Sequence, residues 1–559
     1  MHQKNGCPEE KNCSQTRILI GMEVLDILKD RSFLRSWIEL YEDCPWSTIF
    51  QSPQFVVEWY EAFFQDFEPI MIFSNSLGTL SAVIFLSKGR GFRDEITGVG
   101  KGDGLYQTWL ARENDYGVFL KNVIKLLRSK FNKSKLVLSC IPNGAPIAWM
   151  ENDPSLDGYG ELVPINRPHV ELKEGVVRKL TKKKQFREDR NRLKRIGDLT
   201  FEQISGKDKI NSVLEDLVVQ YDFRQGAIHN RTPFRDNPQK KAFYTRLFEK
   251  GLMFLYVLKL DGKIISSISG TYGKGGWSHG AGINTQSIQY SRHSPGFLIF
   301  IMLINDLYEK QGGILDLTIG GQAYKDRLAN TSDTVYKLTV YPQKKNPLSS
   351  RIKSLLNKWG NAFIANVYKN PKVAKSKLRH KWGLRKEQIS LIKRFGLSSW
   401  VKHPFLPTEV INDKYFILDK ESNLPQEDPS TEINYNSLKD LLNFEPDGVL
   451  LTRQQFLFDC LKKLQQGDIP ITWTIKGGLI GSVWLKSKFK DKKRPNESKI
   501  SEDSPVLHGL YLHKKYQDKL PTFLVKVKQK VAELTDKENL CLSANEKIKS
   551  KHTGLKELV

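Results

Sequence analysis

Four side chains in the middle of the sequence are of types that move protons or neutralise anions. They are the imidazole of His279, the carboxylate of Asp316, the phenol of Tyr324 and the ammonium of Lys325. His279 stands in the β-type run Trp277-Ser278-His279-Gly280-Ala281-Gly282, whose glycines can hold a bulge, splay the strand and expose backbone N–H donors. A histidine on a strand is more often an ordinary structural residue, and its spacing alone does not separate the two. Ser294-Pro295-Gly296 opens an apolar run that begins at Phe297. It supplies a capping hydroxyl, a preset φ and a residue that permits close backbone approach. Such a helix start suits a phosphate-bearing ligand, with Arg292 and His293 as nearby positive or polar groups. The bland alternative is a plain N-cap. Upstream, Arg178 to Arg195 carries ten Lys or Arg against Glu188 and Asp189. Read as one helix with a narrow apolar stripe of Leu180, Phe186, Leu193 and Ile196, it is expected at the mouth of the site, facing an anionic substrate. A solvated face is the competing reading.

The elements that would position these residues follow from the period of the apolar positions. Leu199 to Ile204 is a short strand, and Ile210 to Gln225 has a helical face of Val213, Leu214, Leu217, Val218 and Tyr221. A second helix opens at Asn237-Pro238 and ends near Gly251. Met253 to Leu260 and Ile264 to Tyr272 are strands joined by Asp261-Gly262, a two-residue hairpin signal. Trp277 to Ile283 is a third strand. A helix to Gln311, a strand at Ile314 to Leu317, a helical turn at Ala323 to Leu328 and a strand at Val335 to Tyr341 complete the order β-α-α-β-β-β-α-β-α-β. The N-terminal part repeats this order loosely. A strand at Arg17 to Leu25 precedes helices at Arg31 to Glu42 and Pro53 to Phe64. Strands at Ile70 to Phe73 and Thr79 to Ser87, a helix at Gly117 to Lys130 and a strand at Lys135 to Ser139 follow. A shorter echo follows Thr452, with Lys476-Gly477-Gly478 as its hairpin turn. The expected fold class is therefore α/β with a mixed sheet, in tandem similar domains at 1–169, 170–345 and 411–559. A basic helical connector spans 346–410, and a polar insertion spans Ser487 to Ser504.

Residues 178–328 resemble the CelD/BcsL-type acyltransferase family, GNAT-like proteins associated with bacterial exopolysaccharide and cellulose production. The basic run from Lys182-Lys183-Lys184-Gln185-Phe186-Arg187 through Arg190 to Arg195, Arg224-Gln225-Gly226, Ser294-Pro295-Gly296, and Asp316 followed by Gly320-Gly321 and Tyr324-Lys325-Asp326-Arg327 carry the resemblance. It implies tandem GNAT domains and an acyl-CoA-dependent transfer to an amine or hydroxyl of a saccharide or envelope precursor. Acetyl-CoA or another acyl-CoA is the implied co-substrate, and no metal is expected. By resemblance, Arg292, Ser294, Pro295, Gly296, Phe297 and Lys325 hold the cofactor, and Arg187, Arg190 and Arg224 meet an anionic substrate. His279 is the implied base, Asp316 binds or activates the acceptor, and Tyr324 protonates the departing thiolate. Gly321-Gln322 stand where the family usually has an acidic residue after its glycine, which weakens any acid/base role there. The C-terminal unit looks like a GNAT cofactor loop stripped of glycines, at Leu510 to Lys519, and is expected to be non-catalytic.

Two other readings fit the same sequence. Duplicated units and high basicity suit a FemABX-like enzyme that takes aminoacyl-tRNA and a peptidoglycan precursor. A non-enzymatic partner of a polysaccharide synthase, with all units degenerate, is the other. A length of 559 residues predicts several domains. The formal charge of +25 suits anionic partners: nucleotide cofactors, acidic saccharides, tRNA or the anionic inner leaflet. Six scattered cysteines without metal spacing fit reduced thiols, and no secretory signal or spanning run is found. A soluble cytoplasmic protein, peripheral at most to the inner membrane, is the expectation.

Overall fold

The computed structural model describes residues 15–344 apart from 77, 92, 93, 152, 154, 155, 157 and 281. Beyond these it describes 385, 387–394, 413–418, 431–447, 451–486, 505–535, 540–545 and 555–558. Cys7, Cys13, the polar insertion and nearly all of the basic connector lie outside the described residues. The chain divides into two compact units. One is Met1–Leu214 with Pro238–Thr285 and Ser294–Ala362; the other is Glu215–Asn237 with Gln286–His293 and Phe363–Val559.

The first unit begins with β1 (Gln15–Ile20), α1 (Met22–Ile27), α2 (Arg31–Asp43) and α3 (Pro53–Phe63). The long strand expected at Arg17 to Leu25 stops early because Gly21, at φ 66°, turns the chain into α1. Asp30 Oδ1 accepts from Phe33 N at 2.8 Å to start α2, and Ser52-Pro53 starts α3 with the Ser52 hydroxyl accepting from Phe55 N. Next come β2 (Phe67–Ser76), β3 (Thr79–Gly89), β4 (Glu95–Gly98), β5 (Leu110–Ala111), α4 (Phe119–Lys130), β6 (Lys135–Ile141) and β7 (Gly160–Glu171).

The second half continues with α5 (Glu174–Thr181), α6 (Lys184–Ile196), β8 (Leu199–Gln203), α7 (Lys207–His229), α8 (Pro233–Asp236) and α9 (Gln239–Glu249). The single basic helix expected over 178–195 is thus two helices. The chain breaks at Lys182 and Lys183, where Lys183 leaves the helical region at ψ 128°. Then follow β9 (Met253–Leu260), β10 (Lys263–Tyr272), β11 (Trp277–His279), β12 (Thr285–Gln286), α10 (Pro295–Lys310), β13 (Ile314–Asp316), α11 (Ala323–Leu328) and β14 (Thr331–Val340). The β9–β10 turn is the expected one, with Asp261 and Gly262 both at positive φ, 48° and 74°.

These strands form one mixed sheet in the order β1-β2-β3-β4-β6-β14-β7-β13-β11-β10-β9-β8. The order is the same from either edge: a four-strand meander, then a strand parallel to its fourth member, then a final antiparallel strand. β4 pairs β6 in parallel, and β11 pairs β13 in parallel. The final strands are exchanged. β7, which closes the first half in sequence, pairs β13, whereas β14 pairs β6, and the two pair with each other from Gly160↔Val340 to His169↔Thr331. The stretches 1–169 and 170–345 therefore share one sheet. Their helices meet too, through Phe55 and Phe63 of α3 against Phe243 of α9, and through buried Glu58, which binds Arg246 and Lys250 at 2.5 Å each.

The second unit has its own sheet. Its strands are β15 (Asp413–Leu418), β16 (Thr431–Tyr435), β17 (Ile469–Ile475), β18 (Gly478–Leu485), β19 (Val506–Leu512), β20 (Cys541–Asn545) and β21 (Leu555–Leu558), ordered β16-β17-β18-β19-β20-β15-β21. Helices α12 (Leu438–Leu442), α13 (Arg453–Gln466) and α14 (Leu520–Thr535) accompany them. Thr452 and Gln455 form a capping box on α13, and Gly467 ends it at φ 90°. Again the fourth meander strand, β19, is parallel to the strand that follows the next helix, β20. Trp473 stacked on Phe523, with Val483, Val527 and Leu542, fills the core between sheet and α14.

Candidate active site

The parallel pair β11–β13 fixes the site. Their register sets Trp277 beside Ile314, Ser278 beside Leu315 and His279 beside Asp316, so both functional side chains end their strands on the same row. α10 connects them and must begin at the end of the sheet where β11 finishes, the carboxyl end at which ligands of such sheets gather. Beyond that row β11 leaves the ladder. The expected strand to Ile283 is cut to Trp277–His279 because β10 offers hydroxyls in place of backbone partners. Ser269 Oγ accepts from Ile283 N at 2.5 Å, Ser267 Oγ accepts from Thr285 N at 3.2 Å, and Gly280 N donates to Asp316 O at 2.9 Å. The splay foreseen from the glycines is real, but these three N–H groups are engaged and are not exposed donors.

His279 is 3% exposed and Asp316 0%, with Nδ1 and Oδ2 2.9 Å apart. Asp316 Oδ2 also accepts from the hydroxyl of Tyr106, and Oδ1 accepts from Thr318 N at 2.7 Å. Burial pushes the Asp316 carboxyl up. The hydrogen bond and charge of His279, the Tyr106 hydroxyl and the charge of Arg167 together overcome this and hold it below its ordinary value. An ionised Asp316 can only accept, so Nδ1 carries a proton in either state of the ring, and Nε2 is bare whenever the ring is neutral. Nε2 faces Gly273, where an added Cβ would lie 2.6 Å away. The ring is flanked by Trp277, stacked at 6.0 Å, and by Tyr106 and Phe50 of the first half at 5.1 and 6.1 Å.

Arg167 of β7 pairs with Asp333 of β14, its Nε 2.6 Å from Oδ1, and its guanidinium lies 4.4 Å over Trp277 and 5.3 Å over Tyr106. Cys140 is buried at a φ of 53°. Burial and the charge of Asp316 push its thiol up to about 12, so it stays protonated.

The other expected residues are spread more widely. Lys325 is 2% exposed, and its ammonium is given to Thr318 O, Thr318 Oγ1 and Ile319 O at 3.1, 2.9 and 2.8 Å. Burial lowers it to about 8, against the attraction of Asp316. It ties down the loop after β13. Tyr324 lies half-buried on α11 with its ring 5.2 Å from Phe300 of α10. Ser294 does not cap α10 with its hydroxyl. It adopts a left-handed conformation at φ 48°, and Phe297 N and Leu298 N bond to its backbone carbonyl instead. Pro295 stands at the first turn as expected, and Phe297 is buried beneath the Arg327 guanidinium at 4.1 Å. Arg187 and Arg190 are exposed on α6, which reaches α11 through Lys183 Nζ to Arg327 O at 2.6 Å and Arg327 Nη2 to Gln185 Oε1 at 2.7 Å. Arg224 and Arg292 belong to the second unit, where Arg292 Nε is 3.0 Å from His293 Nε2. Among the described residues no group of three His, Cys, Asp or Glu is placed to hold a metal ion. Sequence reasoning missed Tyr106 and Arg167. The run of alternate glycines from Gly98 to Gly104 marks the loop that carries Tyr106, but nothing marks Tyr106 itself.

Residues 181–326 match the family model of the acetyltransferase (GNAT) domain. No curated protein matches the chain. Among solved structures it is similar to FemX at 11% identity, over 55% of this chain and 96% of that one, with a TM-score of 0.39. L-PGS from Bacillus licheniformis gives 11% over 58% and 95%, TM-score 0.38. A tandem GNAT protein from the clavulanic acid biosynthesis pathway gives 11% over 59% and 100%, TM-score 0.35. The matched GNAT segment spans β11, α10 and β13, and so contains both His279 and Asp316. No described helix is long and apolar enough to cross a membrane.

Proposed function

We propose that the chain transfers an acyl group from acyl-CoA to an amine or hydroxyl, with His279 as base. The observation that carries this is the buried His279–Asp316 pair, at the carboxyl ends of β11 and β13, inside the matched GNAT segment. Nε2 would take the acceptor's proton as the acceptor atom bonds to the thioester carbon. The C–S bond then breaks, and the thiolate leaves with a proton that Tyr324 would supply. Asp316 keeps the Nδ1 tautomer and stabilises the imidazolium that forms. The pyrophosphate of CoA would sit at the start of α10, where Gly296 has no side chain to hold it off. In line with the CelD/BcsL resemblance, the acceptor is a saccharide or envelope-polymer precursor, held by the exposed Arg187 and Arg190 of α6. The charge of +25 also supports contact with an anionic inner-membrane face or a polysaccharide synthase.

The paired halves in one sheet favour one second reading, a FemABX-like transfer from aminoacyl-tRNA. Thermal melting with acetyl-CoA, longer acyl-CoAs and free CoA, repeated on Gly296→Trp, separates them. A CoA species at 100 times its Kd adds about 2.7 kcal/mol of stability. A rise that the variant abolishes supports the CoA reading. No rise at millimolar CoA, with salt-sensitive tRNA binding instead, overturns it.

A further inference from the structure

The first half repeats the strand–helix–strand of the second: β4 and β6 are parallel and flank α4, as β11 and β13 flank α10. In the first half, however, the gap beyond the paired residues is filled. Gln107 N donates to Ser139 O at 2.9 Å, and Gln107 Oε1 accepts from Ser139 N at 3.1 Å, so one residue occupies both backbone groups of Ser139. Its side chain also lies against Gly98 at the end of β4, where even a Cβ would come within 2.6 Å of it. A glutamine wedged between the two strand ends leaves that notch to the protein's own chain.

The residue before the wedge serves the other half. The Tyr106 hydroxyl donates to Asp316 Oδ2, and its ring stands 5.1 Å from that of His279. Its carbonyl accepts from Gln51 Nε2 at 2.7 Å, and Gln51 is itself fixed by Thr48. Tyr106 is 0% exposed, so its hydroxyl is out of reach of an acceptor and acts within the site, on the Asp316 carboxylate and beside the Arg167 guanidinium. Oδ2 of Asp316 has two donors, and the direction of one constrains the other. With Tyr106 in place, the carboxylate plane is set, and with it the line along which Nδ1–H of His279 must point.

We propose that Tyr106 is a positioning residue for the acyl-transfer site. Its hydroxyl orients Asp316 so that Asp316 presents His279 with Nε2 toward the acceptor, and the first half supplies this group while its own notch is closed. The proposal rests on the acyl-transfer reading above.

The test uses the full chain, with 15N-labelled histidine and His279 assigned through His279→Gln. Tyr106→Phe removes one oxygen and keeps the ring. The expected result is a shift in the His279 nitrogen resonances toward a mixture of tautomers. Turnover should fall about 10- to 100-fold in kcat, with KM for acyl-CoA and its thermal stabilisation unchanged within about twofold. Should Y106F unfold, the comparison moves to Asp316→Asn, because removing both partners of a buried hydrogen bond is milder than removing one. There, D316N and D316N/Y106F are expected to be indistinguishable. His279 resonances untouched by Y106F, or a loss of the same size in the Asn background, would overturn the proposal. If the wild type neither binds nor uses acyl-CoA, the transfer reading fails by itself. The His279 spectrum still decides whether Tyr106 governs the pair.

Discussion

Asp316 draws the donors for its carboxylate from three separated stretches of chain: Tyr106, His279 and Thr318. Substituting Asn turns one oxygen into an NH2 that faces a donor, and should cost about 1–3 kcal/mol in urea unfolding. The sign of the pH dependence follows from the lowered carboxyl. As pH falls, the unfolded chain takes the proton first, so the contribution of Asp316 is complete above about pH 4–5 and disappears below it. The stability gap between wild type and Asp316→Asn should therefore close in acid. Lys325 behaves oppositely. Its native value of about 8 lies below that of the unfolded chain, which holds the proton longer. Wild type should gain stability relative to Lys325→Met as pH rises from about 8 to about 10. Gly273→Ala tests the base directly, since its Cβ would stand 2.6 Å from Nε2. It should lower kcat about tenfold or more while the melting shift with CoA persists. His279 and Asp316 were legible because strand, helix and strand place both at one sheet end. Tyr106 was not, because it lies 210 residues from its partner, and a lone tyrosine in a glycine-rich loop looks like any other.

Among the elements, the hairpins were read most accurately, because Asp261-Gly262 and Lys476-Gly477 carry their turn chemistry locally, with all four residues at positive φ. β7 was missed because Pro164 and Pro168 argue against a central strand. The structure shows why they are tolerated. They lie four residues apart, on one edge of the strand. The Pro168 carbonyl accepts from Leu317 N at 3.1 Å on the β13 side, so the missing N–H groups subtract nothing from the ladder with β14. β11 was overextended because side-chain hydroxyls on β10 replaced a backbone ladder, an exchange that periodicity does not record. Gly270 on β10 has no room at all. A Cβ there would lie 2.2 Å from His279 O and 2.4 Å from Phe254. Gly270→Ala should destabilise by about 1–3 kcal/mol in urea unfolding, and should also lower turnover by pushing β11 aside.

At the scale of the molecule, domain echoes were visible in sequence, but the exchange of β7 and β14 was not, because long-range pairing leaves no local mark. Its consequence for truncation is specific. A fragment of 170–345 lacks nearly all of β7 and deprives β14 of both neighbours, and should be unfolded or aggregated by circular dichroism and gel filtration. A fragment of 15–344 keeps that sheet whole and should unfold cooperatively, although it strips Phe223 and Ala227 of their core partners after residue 344. The exchange also sets a schedule for synthesis. β6 reaches the ribosome exit about 190 residues before β14, the strand that will cover it. At about 5–20 residues per second the nascent sheet waits some tens of seconds with an open edge. Through that interval the emerging chain is most exposed to pairing with the wrong neighbour, including a second copy translated on the same message.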